Sequence, residues 1–314
     1  MNYIGIDIGG TAAKFGLVSP SGKVLHTSQF SVSFDGYKTP IIETVLKSCD
    51  IFLDSFSIDL DSIDGFGISA TGQIDTNTGI VVGTGGNILN WEGTPIKQLF
   101  KEKYNLPVEV INDANCVALA EKWIGRAKNH HDVIVLTIGT GVGGGIIVND
   151  KLLLGHSGLA GEIGHFSINN HGTLCTCGNH GCFEQYASMT ALISSVKNVI
   201  SSKAPNLLED TDINGKVIFD LVGSGNTLIT KVVDDWISDI ASGLVSLTHI
   251  FNPEIILIGG AVSSQKELFV SKLRKEVLNH SMKNFSKNLL IESALLENNS
   301  GLIGAVYYLI NKIN

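Results

Sequence analysis

Two stretches of this chain are near copies of one another, and that repetition limits the folds open to it more than any other feature. Ile4 to Val18 reads IGIDIGGTAAKFGLV, and Ile134 to Val148 reads IVLTIGTGVGGGIIV. Set 130 residues apart, Ile4, Ile6, Ile8, Gly9, Leu17 and Val18 fall on Ile134, Leu136, Ile138, Gly139, Ile147 and Val148. Each copy reads as a buried strand, a glycine-rich turn and a second strand. A unit of that kind occurring twice predicts two related α/β lobes.

The rest of the chain fits that frame. A helical pattern covers residues 40–56, a strand runs from Gly65 to Ser69 into Ala70-Thr71-Gly72, and a short strand spans Pro107 to Ile111. A helix with Cys116, Val117, Ala120, Trp123 and Ile124 on one face follows and closes at Gly125. Residues 201–216 are polar and loop-like. Val232, Val233, Trp236, Ile240, Leu244, Leu247 and Ile250 then mark a long amphipathic helix, and a buried strand from Glu254 to Ile258 ends in Gly259-Gly260. Leu302 to Ile310 is apolar nearly all round, so it reads as a buried helix.

With 314 residues, 44% of them hydrophobic, the chain is long enough for two packed cores. Its net charge of −8, without a Lys/Arg run, argues against nucleic acid as a partner, because a phosphate backbone needs a basic face. Val133 to Val148, the most apolar uncharged run, is rich in glycine and too short for a membrane span. No basic, apolar leader opens the chain, so a soluble, cytoplasmic protein is expected.

Four constellations carry chemistry. In Asp7-Ile8-Gly9-Gly10-Thr11-Ala12-Ala13-Lys14 an acid at a strand end meets a tight turn. The turn can set backbone amides, a hydroxyl and a lysine around phosphates, and the acid can hold Mg²⁺ through water. An ordinary hairpin is the plainer reading, weakened by the second copy. That copy, Thr137-Ile138-Gly139-Thr140-Gly141-Val142-Gly143-Gly144-Gly145, packs five glycines into seven residues. Such a run costs entropy unless the backbone must approach something closely. Two such loops across a cleft can grip a polyphosphate such as ATP. Asn112-Asp113, at a strand-to-helix junction, offers a carboxylate that can take a proton from an attacking hydroxyl, or else a helix N-cap.

The fourth constellation is Gly161-Glu162-Ile163-Gly164-His165 followed by Cys175-Thr176-Cys177-Gly178-Asn179-His180-Gly181-Cys182-Phe183-Glu184. One His with three Cys (His165, Cys175, Cys177 and Cys182) makes a closed tetrahedral set for structural Zn²⁺, with His171 and His180 as rival nitrogen ligands. A redox pair is disfavoured, since C-x-C lacks the C-x-x-C spacing. A zinc at this place would pin the 165–184 loop and orient Glu162 and Glu184.

In this order the pieces resemble the ROK family (repressors, open reading frames and sugar kinases) over the full length. They are DIGGT, INDAN, TIGTGVGGG, GEIGH with CTCGNHGCFE, and IILIGGAVS from Ile255 to Ser263. The resemblance implies an α/β, actin-like ATPase (ribonuclease H-like) fold whose two lobes close over ATP and a sugar. It divides the chain into a smaller lobe, 1–115 plus 301–314, and a larger one, 116–300. It makes Asp113 the catalytic base acting on a sugar hydroxyl, most simply O6. Asn112, Glu162, His165, Glu184, Gly86 and Asn87 become sugar contacts, and Gly259-Gly260 a turn on the adenosine side. His165 would bind zinc through its other ring nitrogen. The resemblance also implies a homodimer.

In one place the chain departs from related glucokinases, which often carry a Pro-Asn-Leu-Pro-like run where this chain has Gly-Gly-Asn-Ile-Leu-Asn-Trp (85–91). The sugar therefore stays open between glucose, N-acetylmannosamine and, third, a β-glucoside. Rival classes are a sugar-responsive repressor, a catalytically silent sugar binder, and a hydrolase or chaperone of the same fold. No basic recognition helix precedes Asp7, Asp7 and Asp113 are intact, and the Glu162, His165 and Glu184 set is sugar-like. Each of these disfavours one rival.

Overall fold

The computed structural model of the chain describes residues 1–84, 88–205, 207 and 212–313. The chain opens with strands β1 (Asn2–Ile8), β2 (Ala12–Val18) and β3 (Val24–Ser31), then α1 (Ile41–Ser55) and β4 (Ile63–Ala70). A small hairpin, β5 (Gln73–Asp75) and β6 (Ile80–Gly83), leads to α2 (Ile96–Tyr104), β7 (Val108–Asn112) and α3 (Asp113–Trp123). The pattern restarts with β8 (Val133–Ile138), β9 (Val142–Val148) and β10 (Lys151–Leu152). Helices α4 (Glu184–Ala187), α5 (Met189–Lys203), α6 (Gly215–Gly223) and α7 (Thr227–Phe251) follow, then β11 (Ile255–Gly259) and α8 (Ser271–His280). The chain ends with α9 (Lys283–Ser286), β12 (Leu290–Ser293) and α10 (Ser300–Ile313).

The expected duplication is visible in the topology. One sheet has the order β3-β2-β1-β4-β7 and the other β10-β9-β8-β11-β12. In each, an antiparallel three-strand meander is extended by two parallel strands. The ungapped alignment needs one correction. Ile8 pairs with Ala13, leaving four residues in the first turn, whereas Ile138 pairs with Val142, leaving three in the second. Beyond the turn the equivalent of Leu17 is thus Ile146, not Ile147. Burial follows the corrected register, with Lys14 and Gly143 as the half-buried positions among buried neighbours.

Helices α3 and α10 pack against each other, α10 on β1, β4 and β7, and α3 on β8 and β9. Glycines make that seat possible. A Cβ on Gly67 would stand 2.3 Å from the Ala305 carbonyl oxygen of α10, and one on Gly304 would stand 1.8 Å from the Cys116 carbonyl of α3. The far face of the first sheet buries Ile4, Ile6 and Ile8 against Phe52, Phe66 and Phe100. On the second sheet Ile134, Leu136 and Ile138 pack with Val233, Trp236 and Ile240 of α7. Helix α7 starts where the Asn226 side chain accepts from Ile229 N at 3.1 Å and ends at left-handed Asn252.

Of the stretch 201–216, expected as loop, residues 201–203 belong to α5, which runs to Lys203, and 215–216 to α6, which begins at Gly215 on an Asn214 cap. Among the described residues no helix is long and apolar enough to cross a membrane.

Candidate active site

The parallel strands of both sheets point their carboxyl ends into one cleft of 1130 Å³, the place where open α/β sheets offer turns and helix N-termini to a ligand. From the first sheet come Asp7 and Gly9 after β1, Thr71 and Gly72 after β4, and Asn112 and Asp113 at the end of β7. From the second come Thr137, Gly139, Thr140, Gly141 and Gly143 around the β8–β9 turn, and Gly259 and Gly260 after β11.

Asp113 is the first residue of α3, but it is not the cap. Asn112 Oδ1 accepts from Ala114 N at 2.9 Å and Asn115 N at 3.2 Å, so the capping reading belongs to Asn112. Asn112 Nδ2 donates to the Gly72 carbonyl and to Asp113 Oδ1. The Asp113 carboxyl is pushed up to about 6, first by burial and then by the charge of Asp7. Glu162 adds to the rise, while the Ala114 N–H and the Asn112 side chain oppose it. A carboxylate poised this close to neutrality is suited to taking a proton. Asp7 is also raised, by burial, against the Ser69 hydroxyl that donates to its Oδ1 at 2.6 Å and the charge of Lys14.

Glu162, His165 and Glu184 line the opposite wall together with Thr176 and Cys177. Burial raises the Glu162 carboxyl, His165 pulls it back and Glu184 adds to the rise. Glu184 Oε2 accepts from Val142 N at 2.9 Å, so the second glycine turn and the loop carrying Glu184 are locked together. Gly141 makes the approach possible, as a Cβ there would lie 2.3 Å from that oxygen. Behind this wall the ligand atoms of His165, Cys175, Cys177 and Cys182 all lie within 4.8 Å of one another. One imidazole and three thiols at that spacing fit a tetrahedral zinc site. His165 Nδ1 faces Cys175 Sγ at 3.6 Å. The rival His180 is occupied elsewhere, its Nδ1 against the Gly172 carbonyl at 3.1 Å.

The structure departs from the sequence reading at the first turn. Gly9 lines the cleft, but Gly10 lies against Ile88 with its carbonyl accepting from Tyr37 Oη at 2.8 Å, and Thr11 is exposed. Lys14, expected beside phosphates, instead donates to the Asn298 carbonyl and to Asn299 Oδ1. Gly86 and Asn87 lie outside the described residues. The variant run after them is anchored by Trp91, fully buried, whose Nε1 donates to the Thr71 carbonyl at 3.0 Å. Ser263, the last residue of the IILIGGAVS motif, lines the cleft, and Ser264, Asn298, Ser300 and Gly301, which were not among the expected site residues, line it too.

The same architecture is known in solved structures. A ROK family glucokinase from Streptomyces griseus, in complex with glucose and AMPPNP, superposes with a TM-score of 0.83 at 31% identity over 97% of this chain and 98% of that one. The two-lobed arrangement is therefore the actin-like ATPase fold. The Thermotoga maritima glucokinase is 31% identical over 97% of this chain and 96% of its own length. The Caldicellulosiruptor bescii xylose repressor is also 31% identical, over 99% of this chain and 78% of its own length. The ROK family model matches residues 3–312, from the first glycine-turn hairpin to the end of α10, and the chain is a member of that family.

Proposed function

We propose that the protein is an ATP-dependent sugar kinase in which Asp113 is the general base. The observation that carries this reading is the Asp113 carboxyl itself, at the cleft floor between two glycine turns, with its pKa raised to about 6. Asn112, Glu162, Glu184 and the His165 ring would hold the sugar, and Gly86 and Asn87 complete that set as proposed from the family resemblance. Gly9, Thr137, Gly139, Thr140, Gly141 and Gly143 would cradle the phosphates, and Gly259-Gly260 the adenosine side. Asp7 would orient Mg²⁺, which supplies charge neutralisation on the phosphates when bound. Zn²⁺ on His165, Cys175, Cys177 and Cys182 would be structural.

In the reaction Asp113 takes the proton of the sugar hydroxyl as that oxygen forms its bond to the γ-phosphorus. The bond from the γ-phosphorus to the bridging oxygen breaks, and ADP leaves. Little covalent work falls to the protein, so positioning and electrostatics carry the rate.

A coupled ADP-release assay with Mg-ATP and a panel of glucose, N-acetylmannosamine, N-acetylglucosamine, mannose, fructose, allose and cellobiose tests the reading. Turnover on one sugar at O6, glucose or N-acetylmannosamine first, is the expected result. Sugar binding without turnover on any member would favour a sugar-responsive binder, the reading that the xylose repressor relative brings.

The pH profile gives an independent check. Asp113 must be ionised to accept a proton, so kcat/KM for the sugar should be level above about pH 6 and fall about tenfold per unit below it. Glu162→Gln removes one negative charge that raises Asp113, and the acid limb should move to lower pH. A limb that stays in place would detach it from Asp113.

A further inference from the structure

Lys14 stands on β2 opposite Asp7 on β1, and its ammonium is engaged by the chain near the start of the last helix. Nζ donates at 2.7 Å to the Asn298 carbonyl and at 2.6 Å to Asn299 Oδ1. Both acceptors belong to the connection from β12 to α10, whose regular structure is one 3₁₀ turn (Glu297–Asn299). The same connection gives Ala294 and Asn298 to the cleft wall, and the start of α10 adds Ser300 and Gly301.

The start of the connection is held from another direction. Glu121, in the last turns of α3, is fully buried. Its Oε1 accepts from Leu295 N at 2.6 Å and Leu296 N at 2.7 Å, and its Oε2 from Arg126 N at 2.9 Å. Gly125 admits the carboxylate, since a Cβ there would lie 2.3 Å from Oε2. Ser293 Oγ donates to the Ser263 carbonyl at 2.9 Å, tying the connection to the turn after Gly259-Gly260. At its far end Gly301 packs directly on the Asp7 carboxyl.

A loop without a ladder of its own is therefore fixed at both ends by buried or charge-assisted hydrogen bonds from distant elements. One end is tied to the helix that carries Asp113, the other to the strand beside Asp7. We infer that Lys14 and Glu121 are positioning residues that clamp residues 294–300 as one wall of the nucleotide site. The identity of the ligand rests on the kinase reading above; the clamp does not. Its location beside Gly259, Gly260 and Asp7 assigns it to the nucleotide rather than to the sugar, which the opposite wall would hold.

The test is a double-mutant cycle on the whole protein with Lys14→Met, Asn299→Ala, the pair together, and Lys14→Arg. Binding of Mg-ADP is read by calorimetry, and kcat and KM for ATP and sugar by ADP release. Lys14→Met, which removes both bonds, should weaken Mg-ADP by about fivefold, Asn299→Ala, which removes one of them, by about twofold, and the pair should be no weaker than Lys14→Met alone, because the bond lost in Asn299→Ala is already lost there. Lys14→Arg should bind within about twofold of the parent, and kcat at saturating ATP and the sugar KM should hardly move. A hundredfold fall in kcat in Lys14→Met with Asn299→Ala silent would place Lys14 on the phosphates and overturn the clamp. Additive losses in the pair, or unchanged Mg-ADP binding in both singles, would overturn it too. Calorimetry needs no turnover, so absent turnover on every sugar sinks the kinase reading alone, and unchanged binding with normal turnover sinks the clamp alone.

Discussion

Asp113→Asn should lower kcat by about 10²–10⁴-fold while leaving the fold and the binding of Mg-ATP intact. The substitution removes the proton acceptor and little else. An asparagine Oδ1 can keep the bond from Ala114 N at 2.8 Å, and the helix cap belongs to Asn112 and survives. Stability gives a second readout with a definite sign. The folded state holds the Asp113 proton up to about pH 6, whereas the ordinary value is 3.8. Keeping the group ionised in the cleft therefore costs the folded protein on the order of 2–3 kcal/mol once the pH exceeds about 6. That cost shrinks as the pH falls from 6 to 4 and is absent below. Asp113→Asn should thus melt a few degrees higher than the parent at pH 7.5, with the two converging near pH 4. Loss of activity with a raised Tm is the mark of a group held for chemistry. Activity within tenfold of the parent would end the assignment of Asp113 as base, and a lowered Tm would mean that the carboxylate serves the fold.

The parts of the molecule legible in the sequence are those where function and fold share a local pattern. The two hairpins were readable because buried strands and close-approach turns demand the same residues each time, and Ile4 and Ile6 flank Gly5, where a Cβ would stand 2.8 Å from the Leu302 carbonyl oxygen. The thiol cluster was readable because a metal needs its donor types whatever the fold. What stayed hidden depended on residues far apart in the chain. Lys14 beside a glycine turn looks like a phosphate ligand, but its partners lie 284 and 285 positions away. Glu121 looks like an exposed helix residue, yet three backbone N–H groups draw it into the interior. The missing residue in the second turn escaped notice because glycine and β-branched residues on both sides fit either register. Residues 201–203 at the end of α5 read as loop because a helix end exposed to water carries the same polar side chains as a loop.

Disrupting the thiol cluster should damage the sugar side and spare the nucleotide side. The segment from His165 to Glu184 has almost no ladder of its own. Its only bridges among the described residues are Ser167 with Cys182 and Leu174 with His180. A few turn hydrogen bonds such as Ile168 N to the Gly181 carbonyl and Cys175 N to the Asn179 carbonyl help to order it, beside the four donors, Glu184 on Val142 N, and Phe166 stacked on Phe183 at 5.2 Å. Cys182 is fully buried at the base of the loop, so Cys182→Ser replaces a soft donor by a hard one without room for the loop to adjust. The parent should carry about one zinc per chain by mass spectrometry of the metal, and Cys182→Ser close to none. The sugar KM should rise about a hundredfold or more, since the metal holds outer elements that orient ligands and such losses commonly reach 10–100-fold for a single supporting contact. Mg-ADP affinity should change little, because the 294–300 wall is held by Lys14 and Glu121, which lie outside the loop. Faster cleavage between residues 166 and 183 by a non-specific protease would locate the damage in the loop itself. A zinc-free variant that kept the parent's sugar KM would show that the loop is shaped by packing alone. Equal weakening of sugar and nucleotide would instead mean that the cluster supports the whole second sheet, through Glu184 and the glycine turn it grips.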